Sequence, residues 1–309
     1  MMSGLSRSYA VGLLAGATLL TATACGAGSA ETGSAAGGGK PAVVAAFYPL
    51  QWLSQQVGGP DAAVSVLTAP GVEPHDLELG AHQMAELGEA TLTVYIKGVQ
   101  PAVDDAVDPE RAFDAATAVT TLPAGDHGAE AGEEGHDHEV SYDPHLWLDP
   151  SRLATVAVKL GERLAAADPA HAQGYKDRAA ATAASLGTLD KEFAQGLTTC
   201  RTRSLVTAHE AFGYLSDRYH LKQVGITLDP DAEPSPARLA EVAKLAKDEK
   251  VTTIFTESLA NPKVAQVLAD EVGARTAVLD PLESKPSGDY LSAMRGNLTT
   301  LRTALGCGA

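Results

Sequence analysis

From Val43 onward the chain alternates short β-branched runs with stretches of helical spacing. The alternation breaks once, over a strandless stretch from Asp149 to Leu197. Candidate strands are Val43–Phe47, Val64–Ala69 and Leu92–Ile96, then Ser204–Ala208, Thr252–Thr256 and Thr276–Leu279. Helical segments between them imply an α/β fold with parallel sheets and right-handed crossovers. Ser235-Pro236 reads as an N-cap and first-turn proline, and Gly273 as the stop of a helix opened at Asn261-Pro262. In the strandless stretch, Asp149-Pro150 and Asp168-Pro169 each start a helix. In the second, Tyr175, Ala179, Ala183, Leu186, Leu189, Phe193 and Leu197 recur at spacings of three and four. A helix over Pro169–Leu197 would run roughly 43 Å. The expected architecture is therefore two α/β lobes, residues 41–148 and 200–309, joined by connecting helices over 149–199 that include one long, rigid helix.

The segments outside these lobes read differently. Arg7 followed by the apolar run Val11–Leu20 is too short to span a bilayer and has the length of a secretory signal core. Small residues precede Cys25, so residues 1–24 read as a lipoprotein signal peptide and Cys25 as the lipidated N-terminus. Residues 25–40, rich in Gly, Ala and Ser, form a flexible tether. The expected location is extracytoplasmic, held at the outer face of the plasma membrane by the lipid. Between Leu122 and Tyr142 lies a Gly-rich, His-rich segment (mobile loop 123–141) in which His127, His136 and His138 sit among carboxylates, a composition suited to weak secondary metal binding.

The net charge of -16 argues against nucleic acid or anionic lipid as the main partner and leaves small cations open. In open α/β sheets ligands bind beyond the carboxyl ends of the strands. His209 and Asp280 follow strands of the second half directly; His75 lies in the Gly71–Gly80 loop, and His145 just before the connecting helices. Three imidazoles and a carboxylate in the cleft between the halves match a four-coordinate zinc shell. Glu257, which ends the Thr252–Thr256 strand, is the alternative to Asp280. A closed shell favours capture of the ion over hydrolysis, which keeps a position for water. No Walker, dinucleotide-binding or GxSxG pattern occurs.

Several stretches together resemble the metal-specific solute-binding lipoproteins of bacterial ABC importers, especially their zinc-binding branch. They are Phe47-Tyr48-Pro49-Leu50, Gly71-Val72-Glu73-Pro74-His75-Asp76, Asp143-Pro144-His145-Leu146-Trp147-Leu148-Asp149-Pro150, Thr207-Ala208-His209-Glu210-Ala211-Phe212-Gly213-Tyr214, Thr256-Glu257 and Leu279-Asp280-Pro281-Leu282. The resemblance covers roughly residues 41–305. It implies a non-enzymatic, monomeric receptor that captures Zn2+ between two lobes and delivers it to an ABC permease. It also carries the metal-ligand role onto His75, His145, His209 and Asp280, with a Glu or water as the alternative fourth ligand. A manganese or broad divalent-metal receptor is the alternative within the fold. A secreted zinc hydrolase, with Glu210 as base, and a metal-dependent adhesin in cell adhesion are the alternatives outside it. With Cys25 lipidated, Cys200 and Cys307 remain in an oxidising compartment at either end of the second lobe, where a disulfide between them is expected.

Overall fold

The computed structural model describes residues 39–124, 140–230 and 232–308. The signal segment, Cys25, nearly all of the tether, and His127, His136 and His138 lie outside the described residues. Among the described residues no helix is long and apolar enough to cross a membrane.

The described residues build two four-stranded, wholly parallel sheets with helical crossovers. The first contains β1 (Ala42–Ala45), β2 (Ala63–Val66), β3 (Leu92–Tyr95) and β4 (Ala112–Asp114), in the order β2-β1-β3-β4. Helices α1 (Tyr48–Gly58), α2 (Ala81–Glu89) and α3 (Pro101–Ala106) connect them. Next come α4 (Pro150–Ala167) and α5 (Ala172–Gly196) with no strand between. The second sheet contains β5 (Ser204–His209), β6 (Lys222–Thr227), β7 (Thr253–Thr256) and β8 (Arg275–Val278), in the order β6-β5-β7-β8. Helices α6 (Gly213–Tyr219), α7 (Pro236–Asp248) and α8 (Lys263–Val272) connect these strands, and α9 (Tyr290–Leu305) closes the chain.

Local chemistry accounts for the elements that position the site. The buried Asp149 carboxylate accepts from the backbone N–H groups of Ser151 and Arg152, with Pro150 opening the first turn of α4. Ser235 caps α7 in the same way, and Gly273, at φ 69°, ends α8 in the left-handed region. Helix α5 turns its Tyr175, Ala179, Leu186, Leu189 and Phe193 face inward. Its 25 residues span about 37 Å. Helix α4 packs closely on it at Gly161, where a Cβ would stand 2.6 Å from the Ala179 Cβ. Central strands β5 and β7 are almost wholly buried, while β8 at the sheet edge is mostly exposed.

Two strands differ from the sequence expectation. β4 is three residues long with one buried apolar side chain, too little for a pattern. β6, KQVGIT, carries a glycine at its centre because a Cβ on Gly225 would stand 2.3 Å from the Glu210 Cγ.

One hydrophobic core runs through the first sheet, along α4 and α5, and into the second sheet and α9. A smaller one lies between β6, β5, β7 and helices α7 and α8. Trp147 joins the two sheet systems. Its ring meets Phe47 edge-on at 4.8 Å, its indole N–H donates to the Pro281 carbonyl at 2.7 Å, and its own carbonyl accepts from the Tyr290 hydroxyl. Cys200 and Cys307 form a disulfide, tying the start of the second sheet system to the end of α9.

Candidate metal centre

The second sheet reverses its winding between β5 and β7, where an open α/β sheet leaves a crevice at its carboxyl edge. His209 is the last residue of β5, and Glu257 follows β7 directly. The first sheet contributes His75 from the loop after β2. His145 stands at the start of a one-turn 3-10 helix, Leu146–Leu148, whose three side chains are fully buried beneath α4.

These three imidazoles meet a fourth donor, Glu283, from the segment between β8 and α9. The Glu283 Oε1 lies 3.4 Å from His75 Nε2, 3.7 Å from His209 Nε2 and 3.9 Å from His145 Nε2. One donor atom from each residue lies within 4.8 Å of every other. A tetrahedral zinc shell with bonds near 2.0–2.1 Å has donor–donor edges of about 3.3 Å, so a small contraction suffices to reach it. All three Nε2 atoms and Glu283 Oε1 are buried without a hydrogen-bond partner. Four orphaned polar atoms pointing at one spot are a costly arrangement unless a cation occupies it.

The surrounding carboxylates set the imidazole tautomers. His145 Nδ1 lies 2.7 Å from Asp143 Oδ1, and His209 Nδ1 lies 2.6 Å from Glu257 Oε2. Each carboxylate also accepts the backbone N–H of its own histidine, at 2.9 and 3.1 Å. Proton on Nδ1 leaves the Nε2 lone pair for a metal. Asp143 is itself braced by the Tyr214 hydroxyl, which donates to its carbonyl. Burial pushes the His209 imidazolium down, yet the adjacent Glu257 carboxylate, with Glu283 and Glu73 behind it, overturns this and holds the pKa up to about 9. His75 is also held above its ordinary value, since Glu283 and Glu73 outweigh burial and the repulsion of His209. Burial opposes the charge on Glu283, but contact with His75 and the fields of His209 and His145 keep it an anion, well below the usual carboxylate range. Nearby Glu73 is pushed up to about 7 by burial and by Glu283. The pocket is thus a cage of nitrogen donors and one anion, electrostatically arranged for a cation.

Residues 43–304 match the family model described as zinc-uptake complex component A periplasmic, ZnuA. The chain belongs to the ZnuA family. The zinc-binding lipoprotein AdcA of Streptococcus pneumoniae is 38% identical over 282 residues, 85% of this chain and 56% of that protein. The chain therefore spans about half the length of such relatives. The high-affinity zinc uptake system protein ZnuA of Bacillus subtilis is 32% identical, covering 94% of this chain and 95% of its own. Among solved structures, the laminin-binding protein Lmb of Streptococcus agalactiae, described as bifunctional with adhesin and metal-transporting activity, superposes with a TM-score of 0.77. It is 32% identical and covers 86% of this chain and 100% of its own. The Zn(II)-bound ZnuA-like domain of Streptococcus pneumoniae AdcA gives 0.71 at 35% identity, over 86% of this chain and 99% of that one.

Within this ZnuA-family site, His75, His145 and His209 come together, but Asp280 does not join them. The Asp280 carboxylate is turned aside: Oδ1 accepts the Leu282 N–H at 2.8 Å and Oδ2 accepts the Ser258 hydroxyl at 2.7 Å. Glu257 does not fill the place either, being engaged on the far nitrogen of His209. The fourth donor is Glu283, three residues past Asp280. The backbone reaches it through Leu282 at φ 62°, a left-handed conformation that disfavours a bulky side chain by roughly 1–2 kcal/mol. A strand-end rule points to Asp280, the first residue beyond the expected strand Thr276–Leu279; only the turn at Leu282 redirects the chain, and no pattern in LDPLES announces it.

Proposed function

We propose that this chain is an extracytoplasmic zinc receptor that captures Zn2+ on His75, His145, His209 and Glu283 and delivers it to an ABC permease. The observation that carries this is the convergence of the four partnerless buried donor atoms. Three imidazole nitrogens favour zinc over manganese, which prefers oxygen donors. Four protein donors complete a tetrahedral shell without water, which supports binding rather than hydrolysis. Kinship with proteins named for zinc uptake supports the same cargo. In this reading residues 1–24 are removed, lipid on Cys25 holds the monomer at the outer face of the membrane, and His127, His136 and His138 add weaker sites. The lobe boundaries of 41–148 and 200–309, with connecting helices over 149–199, belong to the same reading.

The test is titration of the chelator-treated mature chain with Zn2+ and Mn2+, beside His209→Ala. One tight zinc site, lost in His209→Ala, is expected, with manganese binding weaker. Equal zinc affinity in both proteins, or tighter manganese binding, refutes the assignment. Deleting residues 124–139 is expected to leave the tight site and remove extra weak zinc.

A further inference from the structure

The turn that delivers Glu283 is held at several of its backbone polar groups. The Asp280 N–H donates to Asn297 Oδ1 at 3.0 Å, and the Asn297 amide donates back to the Asp280 carbonyl at 2.6 Å. The Pro281 carbonyl accepts the Trp147 indole N–H. Beyond the turn, Ser284 Oγ accepts the Gly71 N–H at 2.7 Å, from the loop that carries His75. Within this frame Leu282 is fully buried at positive φ, and its N–H is satisfied by Asp280 Oδ1 alone among the described contacts. Without that acceptor a buried N–H is orphaned and the strained residue has a reason to return to negative φ. Rotation there swings the next side chain, which is Glu283.

We infer that Asp280 is a positioning residue: by capping the strained Leu282 backbone it holds the Glu283 carboxylate against the three imidazoles, without touching the ion. The inference rests on the zinc site proposed above. It gives Asp280 work that depends on a side chain of this length with an acceptor oxygen at Oδ1: Oδ1 must reach two residues forward while the second branch meets Ser258 between β7 and α8. The geometry resembles an Asx turn, with the carboxylate standing in for a backbone carbonyl.

The experiment measures Zn2+ affinity of the mature chain by competition with a chromophoric chelator, with the melting temperature of the metal-free protein as the folding control. Asp280→Ala is expected to weaken zinc by about 10–100-fold, the range for groups that orient a ligand. Asp280→Asn, which keeps the acceptor oxygen, is expected to stay within about twofold of wild type. In a Glu283→Gln background, Asp280→Ala is expected to add no more than about twofold, because both changes disable the same donor. With Co2+ in place of zinc, the visible spectrum of Asp280→Ala is expected to match that of Glu283→Gln. Should Asp280→Ala fail to fold, Asp280→Glu serves: it keeps the charge but misplaces the cap, and is expected to weaken zinc about tenfold or more. Wild-type affinity in Asp280→Ala or Asp280→Glu overturns the inference, as does a full additive loss in the Glu283→Gln background. A wild-type chain that binds no zinc refutes the receptor reading itself, a separate outcome.

Discussion

Glu257 acts on His209 in two opposed ways, and the balance between them shifts with pH. As a hydrogen-bonded anion on Nδ1 it fixes the tautomer and makes Nε2 a better donor; losing such a partner weakens metal binding by about 10–100-fold. It also holds the metal-free imidazolium up to about 9, so below that pH an incoming ion must displace a proton. The sign follows directly. Affinity falls as pH drops below the raised value, by up to tenfold per unit for each proton displaced. At pH 7, with the His209 pKa held up to about 9, displacing its proton weakens binding by a factor on the order of 100. Glu257→Gln preserves an acceptor oxygen and the side-chain shape but removes the charge, returning His209 toward its ordinary pKa of about 6.5 or lower. At pH 9 the variant is therefore expected to show the full 10–100-fold deficit. Near pH 7 lost donor strength and relieved proton competition nearly cancel, leaving a deficit of only a few fold. Chelator competition at half-unit steps from pH 6.5 to 9 measures this. Calorimetry in buffers of different ionisation enthalpy should show about one fewer proton released by the variant at pH 7. A deficit independent of pH, or largest at the acid end, would refute the reasoning.

Three further outcomes are expected. Glu283→Gln leaves a buried site without its one anionic donor; at about 3–5 kcal/mol for removing one member of a buried charged pair, zinc affinity should fall by about two to four orders of magnitude in the same competition assay. Cys200→Ser, which opens a bridge with a sequence separation of 107, should lower unfolding free energy in denaturant by about 2–5 kcal/mol without moving zinc affinity of the folded protein. Gly161→Val forces a side chain into the contact between α4 and Ala179, and should destabilise the metal-free protein by about 1–3 kcal/mol in the same titration.

Much of the fold was legible because its signals are local. Asp149-Pro150, Ser235-Pro236 and Gly273 mark helix ends through hydrogen bonds or dihedrals confined to a few residues, and each stands where expected. The central strands β5 and β7 read clearly because β-branched and apolar residues, Leu205-Val206-Thr207 and Thr253-Ile254-Phe255-Thr256, fill them. β4 did not, since three residues with one buried side chain carry no period. β6 was hidden because Gly225 answers to a distant contact with Glu210. The histidines could be singled out by their place after strands and before the connecting helices. The fourth donor could not, because the backbone reversal at Leu282 depends on Asn297, Trp147 and Ser258, partners from three other parts of the chain. Glu257 was visible as a residue at a strand end; its role as the partner of His209 required the register of β5 beside β7.

The apolar core that continues through α4 and α5 into both sheets bears on how cargo can be exchanged. A clamshell receptor spends part of its binding energy closing, so its apparent affinity is lowered by the rarity of the closed form. Here, swinging the sheets apart would wet surfaces such as Trp147 and Tyr290, each fully buried and each burying about 150–250 Å². At about 25 cal/mol per Å², exposing either ring completely opposes opening by roughly 4–6 kcal/mol. Under the receptor reading proposed above, wetting this core makes separation of the sheets a costly route for exchange of the ion. With one donor atom each of His75, His145, His209 and Glu283 within 4.8 Å of the others, an arriving ion would meet a nearly assembled coordination sphere.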